Sequence, residues 1–377
     1  MAPGLVDLSG NGNLTTEMEY ADSGKQGHAT TVNGLNGLQN GMTEKQKGVS
    51  ADATMCHMDT HGSVASVPPP GVWAPAITFF DHSTDSLSLG PQARYFSYLA
   101  RSGLAGLVIL GTNAETFLLT QSERKQLLQT ARQACGPSYP IMAGVSGHST
   151  KQVLEYIADA AAAGANYALL LPPSYFGKQS TMDVIEDFYH DVATESVLPI
   201  VIYNMPGVSS GIDLTSAFMV RLAQAHKNIV GVKLTCGAVA KVSRLSATFP
   251  ASRFAVYAGQ SDFMLGGLAS GATGTIAGFA NVFPKTIVKI YDLYQSGRFE
   301  EALKLHQTAA LAEQGCKDGI ATVKYAAARN TAKAAGIDET VALDQLRPRR
   351  PYKEPSDKAK NEIEALIAPL IDIEASL

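Results

Sequence analysis

The sequence predicts an α/β fold: a (β/α)8 TIM barrel, followed by a C-terminal helical domain and preceded by a disordered N-terminal leader. Three observations carry this prediction. Eight short apolar runs rich in Val, Ile and Leu recur from Gly71 onward, and amphipathic stretches with helix-start signals separate them. Beyond Val282 the pattern is helical throughout. Apolar strands alternating with helices mean a parallel sheet buried on both faces. Eight such units within about 220 residues fit a closed barrel better than an open sheet. The expected divisions are a leader 1–70, a barrel 71–296 and a helical domain 297–377.

The leader differs in composition from the rest of the chain. It is rich in Gly, Asn, Thr and Ser, has no Arg and shows no periodicity, so it buries too little surface to offset its ordering entropy. It has neither the basic start and apolar core of a secretory signal nor the Arg content of a mitochondrial presequence. Pro68-Pro69-Pro70 closes it as a stiff boundary. The four cysteines are widely scattered, with neither metal-ligand spacing nor the density of a disulfide scaffold. A reducing, cytoplasmic setting is therefore expected. A net charge of −4 gives no reason to expect nucleic acid as a partner, and no apolar run is long enough for a membrane span.

The expected strands are Val72–Phe80, Gly106–Gly111, Pro140–Val145, Tyr167–Pro172, Pro199–Asn204, Ile229–Thr235, Phe254–Gly259 and Thr273–Phe279. Thr120-Gln121-Ser122-Glu123 reads as a capping box ahead of Arg124–Cys135, and Ser149-Thr150-Lys151-Gln152 as another ahead of Val153–Ala163. Asp213 is placed to cap Leu214–His226. No GxGxxG comes after the first strand, which weakens a dinucleotide-binding alternative. Helices are expected at Pro284–Gln295, Arg298–Gln314, Asp318–Ala335 and about Ser356–Ile371. The basic connector Leu346–Tyr352 suits solvated or salt-bridged arginines better than a nucleic-acid patch.

The sixth expected strand carries Lys233 in its middle. Burial disfavours an ammonium group, and a neutral buried lysine is a nucleophile toward carbonyls. The plain alternative is a lysine that snorkels to solvent or pairs with a carboxylate. In a barrel, reactive groups gather at the C-terminal ends of strands. There the second strand ends in Gly111-Thr112-Asn113-Ala114-Glu115, a small polar turn suited to an anion or simply an ordinary connection. The fourth ends in Ser174-Tyr175-Phe176 and the fifth in Tyr203-Asn204-Met205-Pro206-Gly207. The eighth opens with Gly271-Ala272-Thr273-Gly274-Thr275-Ile276, whose small residues permit close ligand approach. A lysine and a phenol on adjacent strands suit Schiff-base chemistry, with the phenol moving protons. This needs no metal, and no dense His/Asp/Glu cluster is visible; His148, His190 and His226 read as surface or capping residues, and Cys236 as packing.

The set Gly-Thr-Asn-Ala-Glu, Tyr203-Asn-Met-Pro and Gly231-Val232-Lys233 resembles the dihydrodipicolinate synthase / N-acetylneuraminate lyase family of pyruvate-dependent class I aldolases, over about residues 71–370. The resemblance implies a barrel with a C-terminal helical domain, commonly assembled as a homotetramer built from dimers. It implies Lys233 as the Schiff-base lysine, Tyr203 as the proton-relay tyrosine, and Thr112 and Asn113 as the residues that hold the pyruvate carboxylate. Tyr175 matches the tyrosine that dimers lend to the neighbouring site, and Ile276 the position whose backbone lines the pyruvate site. No cofactor is implied beyond the covalent Schiff base itself.

Two departures bear on substrate. The second hydroxyl of the usual turn is Asn113 and the next Gly is Ala114, although an amide also binds a carboxylate. The Arg that clamps a carboxylate in lysine-pathway synthases is missing from Gly207-Val208-Ser209-Ser210. The chain is thus most similar to fungal aldolases of 4-hydroxy-2-oxo acids or 2-keto-3-deoxy sugar acids. The expected activity is cleavage of such an acid to pyruvate and an aldehyde, with Gly207 and Ser209 among the substrate-binding residues and Val208, Ser209 and Ser210 placed to select the aldehyde. The alternatives are the same chemistry run as a condensation, and an inactive binding or scaffold protein.

Overall fold

Eight parallel strands close on themselves in the computed structural model, which describes residues 66–377. They are β1 (Gly71–Pro75), β2 (Gly106–Ile109), β3 (Ile141–Gly144), β4 (Tyr167–Leu170), β5 (Ile200–Asn204), β6 (Ile229–Leu234), β7 (Ala255–Ala258) and β8 (Gly274–Ile276). Each pairs with the next, and β8 returns to β1 with Gly71 opposite Gly274. One helix follows each strand: α1 (Leu89–Ala100), α2 (Gln121–Cys135), α3 (Thr150–Ala162), α4 (Met182–Glu195), α5 (Ser216–Ala225), α6 (Val239–Thr248), α7 (Met264–Ala269) and α8 (Pro284–Gln295). The expected leader lies outside the described residues except for its last five, 66–70.

Strand ends differ from expectation where side chains claim the backbone. The first strand stops at Pro75, and Phe80–Asp81 pairs instead with Ser86–Leu87 as a small antiparallel hairpin. The eighth gives way to a 3-10 turn at Gly278–Asn281. That turn lets the Asn281 amide donate to the Pro75 carbonyl at 2.9 Å and accept from Ile77 N–H at 3.3 Å, tying β8 to β1.

The caps divide in the same way. Thr120 and Glu123 form both bonds of a capping box at α2. At α3 Ser149 accepts from Gln152 N–H, but the Gln152 side-chain oxygen Oε1 takes the His148 N–H, so only half the expected box forms. Asp213 is not the α5 cap: Thr215 is, and Asp213 accepts from Asn204 at 2.7 Å and pairs with Lys241.

The barrel interior is filled by Trp73, Val108, Met142, Tyr167, Val201 and Tyr257 among others, with Trp73 edge-on to both Tyr167 and Tyr257. A Cβ on Gly106 would lie 2.3 Å from the Trp73 ring, so the indole requires glycine there. The polar tips of these aromatics point to the N-terminal segment. Tyr167 Oη donates to Val67 O at 3.2 Å, Trp73 Nε1 to Pro69 O at 3.1 Å, and Tyr257 Oη to Pro69 O at 2.8 Å. Residues 67–69 therefore belong to the barrel floor, not to the leader.

The C-terminal helices are α9 (Phe299–Glu313), α10 (Ile320–Arg329), α11 (Thr331–Ala334), α12 (Glu339–Gln345) and α13 (Asp357–Ser376). The expected helix over 318–335 breaks at Asn330, whose amide donates to Val282 O at 2.6 Å. α13 runs past Pro369 to Ser376. Its buried Glu374 accepts from the N–H groups of Lys285 and Thr286, capping α8, which has no side-chain cap of its own.

Candidate active site

Lys233 and Tyr203 are register partners on β6 and β5, and both point into the barrel. Strand alternation alone would not put Lys233 there. Val230 faces the interior and Val232 the helix layer, so strict alternation from Val230 would turn residue 233 outward. The pairing shifts by one residue between Ile200–Ile229 and Val201–Gly231, a bulge that resets the face. Gly231 permits it, since a Cβ there would lie 2.6 Å from the Ala255 carbonyl oxygen.

Lys233 is only 4% exposed, and its Nζ donates to Tyr203 Oη at 3.2 Å. Thr112 Oγ1 lies 3.5 Å from the same phenol, and Met205 Sδ accepts from it at 2.9 Å. Burial pushes the Tyr203 phenol up, but the Lys233 charge and the hydrogen bonds from Thr112 and Lys233 outweigh it, leaving the phenol below its usual range. Two residues beyond Lys233 the Thr235 hydroxyl is buried without a partner among the described residues. Gly259 makes room for it: a Cβ there would lie 2.1 Å from Thr235 Oγ1.

These groups open into a cleft of about 680 Å³. Thr112, Asn113, Tyr203 and Lys233 all line it, as does Thr235. Gly278 packs on Asn113, where a Cβ would meet the amide at 2.6 Å. The remaining expected residues lie elsewhere. Ile276 is fully buried in the barrel interior beneath the cleft. Gly207 and Ser209 flank Val208, and only Val208 reaches the cleft wall, because a 3-10 turn at Pro206–Val208 leaves Gly207 exposed and Ser209 buried. Tyr175 is 75% exposed, outside the cleft of its own chain, in an aromatic group with His148, Phe117 and Phe176. His190 and His226 face each other at 2.7 Å on the helix layer. Among the described residues no group of three or more His, Cys, Asp or Glu is arranged to hold a metal.

Sequence reasoning missed the far wall. Glu313, Lys317 and Tyr352 from the C-terminal region line the same cleft, as does Gln260 after β7. Thr235 was legible, being two residues from Lys233 on the same strand face. The C-terminal residues had no local signal.

Glu115 has a different role from its neighbours in the second-strand turn. It adopts left-handed backbone (φ 58°), and its buried carboxylate accepts from Lys324 Nζ at 2.6 Å and from Arg349 N–H at 2.8 Å. Arg349, in the basic connector, also bonds Glu123 at 2.8 Å and Leu118 O at 2.9 Å. Phe80 lies under both cations, 4.7 Å from Lys324 Nζ and 5.2 Å from the Arg349 guanidinium. The tail is thus fastened to the turn that carries Thr112 and Asn113.

Known proteins share this arrangement of chain and fold. A Coccidioides immitis protein described as a candidate mitochondrial 4-hydroxy-2-oxoglutarate aldolase is 59% identical over 314 residues, 83% of this chain and 99% of its own. An Emericella nidulans protein given the same activity and compartment is 36% identical over 313 residues, 82% of this chain and 97% of its own. A Hypocrea jecorina L-threo-3-deoxy-hexylosonate aldolase is 40% identical over 250 residues, 63% of this chain and 79% of its own. A crystal structure of a dihydrodipicolinate synthase family protein from Coccidioides immitis superposes with a TM-score of 0.79 at 57% identity, covering 84% of this chain and 100% of that one.

These relatives correct the cytoplasmic setting expected from the leader, since two of them carry a mitochondrial designation. Cysteine spacing and a lack of Arg are compositional traits, whereas a compartment address is read by a receptor. The model of the dihydrodipicolinate synthetase family matches residues 69–369, from the barrel floor through most of the last helix. With barrel, strand-borne lysine and helical tail all inside that match, the chain belongs to the dihydrodipicolinate synthetase family.

Proposed function

We propose that this chain is a carbon–carbon lyase, a class I aldolase that cleaves a 4-hydroxy-2-oxo acid to pyruvate and an aldehyde through a Schiff base on Lys233. The observation that carries the reading is the pairing of Lys233 with Tyr203 at the strand ends, opening on the cleft. The names of three relatives, each an aldolase, support it.

The reaction derives from the placement. The Lys233 amine attacks the C2 ketone, and loss of water from the carbinolamine leaves an iminium ion. Removal of the proton from the C4 hydroxyl breaks the C3–C4 bond. Its electron pair moves into the iminium as an enamine, and the aldehyde departs. Protonation at C3 and hydrolysis then release pyruvate and restore the amine. Tyr203, 3.2 Å from Nζ, is the group in reach for these transfers, and its lowered phenol gives up its own proton more readily, which leaves a phenolate in place to receive one. Thr112 and Asn113 offer a hydroxyl and an amide to the substrate carboxylate.

The test is reduction with borohydride in the presence of pyruvate, with intact mass and peptide mapping as the readout. The expected result is one pyruvyl adduct on Lys233, lost in Lys233→Ala. No adduct, or one retained in the variant, removes the aldolase assignment.

A further inference from the structure

The far wall of the cleft bears on which aldehyde the site accepts. Gln260 and Asp262 come after β7, and Glu313 and Lys317 come from the end of α9 and the turn after it. This loop is fixed close to the chemistry. Gly259 N–H donates to Leu234 O at 3.0 Å, and Thr275 Oγ1 donates to Gln260 O at 3.2 Å. Ser261 then donates its hydroxyl to Glu313, and its carbonyl oxygen lies 2.9 Å from His306 Nε2.

Lys317 is the cation of this wall, and it is fully engaged. An ammonium group has three N–H donors. Lys317 Nζ lies 2.8 Å from Gln260 Oε1, 2.7 Å from Asp262 Oδ2 and 3.1 Å from Glu313 Oε1. All three donors are directed at protein acceptors. One ammonium faces two carboxyl groups, so the cluster carries no net positive charge. Burial raises the Glu313 carboxyl above its usual range, with Lys317 pulling it back. Protonated there, Glu313 would still leave the cluster no better than neutral.

The other cleft-lining cation besides Lys233 is Lys353, which is exposed at the mouth, and no arginine lines the cleft among the described residues. Apart from the solvated Lys353, a second carboxylate on the substrate meets a cation in this wall only by displacing Asp262 or Glu313 from Lys317, leaving a desolvated anion without its partner. A hydroxyl group meets no such obstacle. It donates to a spare carboxylate or amide lone pair and replaces a water molecule there.

We propose that Gln260, Glu313 and Lys317, with Asp262 holding Lys317 from behind, form an acceptor-rich specificity wall that favours substrates whose aldehyde portion is a neutral polyol and disfavours those carrying a second carboxylate. This rests on the aldolase reading and narrows it to the 3-deoxy-2-oxo sugar acids, although the relative at 59% identity is described with a dicarboxylate substrate.

The experiment measures kcat/KM for cleavage of 4-hydroxy-2-oxoglutarate and of L-threo-3-deoxy-hexulosonate by the full chain, with pyruvate as the common product. The wild type should prefer the sugar acid by at least about tenfold. Asp262→Asn with Glu313→Gln, which removes both negative charges and leaves the Lys317 charge uncompensated, should shift the ratio at least about tenfold toward the dicarboxylate. A loss of folding lowers both rates together and leaves the ratio alone. A wild-type preference for the dicarboxylate, or a ratio unmoved in a variant whose urea midpoint matches wild type, overturns the wall while a pyruvyl adduct on Lys233 keeps the aldolase reading intact. Absence of that adduct overturns both.

Discussion

Tyr203 is held in a balance that its neighbours set. Burial alone would raise its phenol and hold its proton in place, but Lys233, 3.2 Å away, and the Thr112 hydroxyl reverse the shift. Tyr203→Phe leaves the ring in its place against the interior cluster and removes only the hydroxyl. We expect kcat to fall by at least about a hundredfold, the lower range for loss of a proton-transfer group. Turnover within a few-fold of wild type in a steady-state pyruvate assay would take Tyr203 out of the mechanism. Tyr203, Thr112 and Asn113 were legible because each stands at or just past the end of an apolar run, where a barrel gathers its reactive groups, and Lys233 because a lone ammonium interrupts an apolar strand. In the turn after the fifth strand, that logic did not separate Val208, which reaches the cleft, from Gly207 and Ser209, which do not. A 3-10 turn rotates successive side chains by a third of a circle, so position in the sequence does not tell which one faces the cleft.

At the scale of elements, the β6 bulge is the decisive local feature. Its presence turns Lys233 from the helix layer to the interior, and Gly231 is the residue that allows it. Gly231→Ala places a Cβ 2.6 Å from a backbone oxygen of β7, which cannot move aside as a flexible side chain would. The expected cost is about 1–3 kcal/mol, in the range of overpacked cores, together with weaker borohydride trapping on Lys233. Equal urea midpoints and equal trapping would show that β6 tolerates the methyl group. The floor segment 67–69 makes a second prediction. A chain beginning at Val67 keeps the carbonyls that receive Tyr167, Trp73 and Tyr257, whereas one beginning at Gly71 leaves three buried donors unmet. Calorimetry should show the shorter chain melting at least about 5 °C lower. Equal melting temperatures would return these residues to the leader.

At the scale of the whole molecule, the tail and the barrel share one buried ion pair. Lys324 is fully buried against Glu115, and burial pushes its amine down to about 8, with Glu115 pulling the other way. Lys324→Met leaves the Glu115 carboxylate buried beside only a backbone N–H. A loss of about 3–5 kcal/mol at neutral pH is expected, as for one partner removed from a buried pair. The pH dependence has a definite sign. Below about 8 the lysine is protonated in both folded and unfolded chains, and its burial penalty is fully present. Between about 8 and the ordinary lysine value the unfolded chain holds a proton that the folded chain has released, so stability rises with pH. The gap between wild type and Lys324→Met in urea melts should therefore widen from pH 7 to pH 9.5. A constant or narrowing gap would show that Lys324 does not titrate in that window.

Local patterning was enough for the alternation of strand and helix, the closure into eight units and the four residues nearest the proposed chemistry. These come from short-range periodicity and from the rule that strand ends converge at one mouth. Tertiary structure alone decided which way Lys233 faces, what Glu115 is for and what stands opposite the nucleophile. Glu115 meets Lys324 across 209 residues of chain, and the Ser261–Glu313 contact spans 52. Such pairs are selected by burial and by the need to satisfy every hidden donor and acceptor, which is a property of the packed molecule and leaves no period in the sequence.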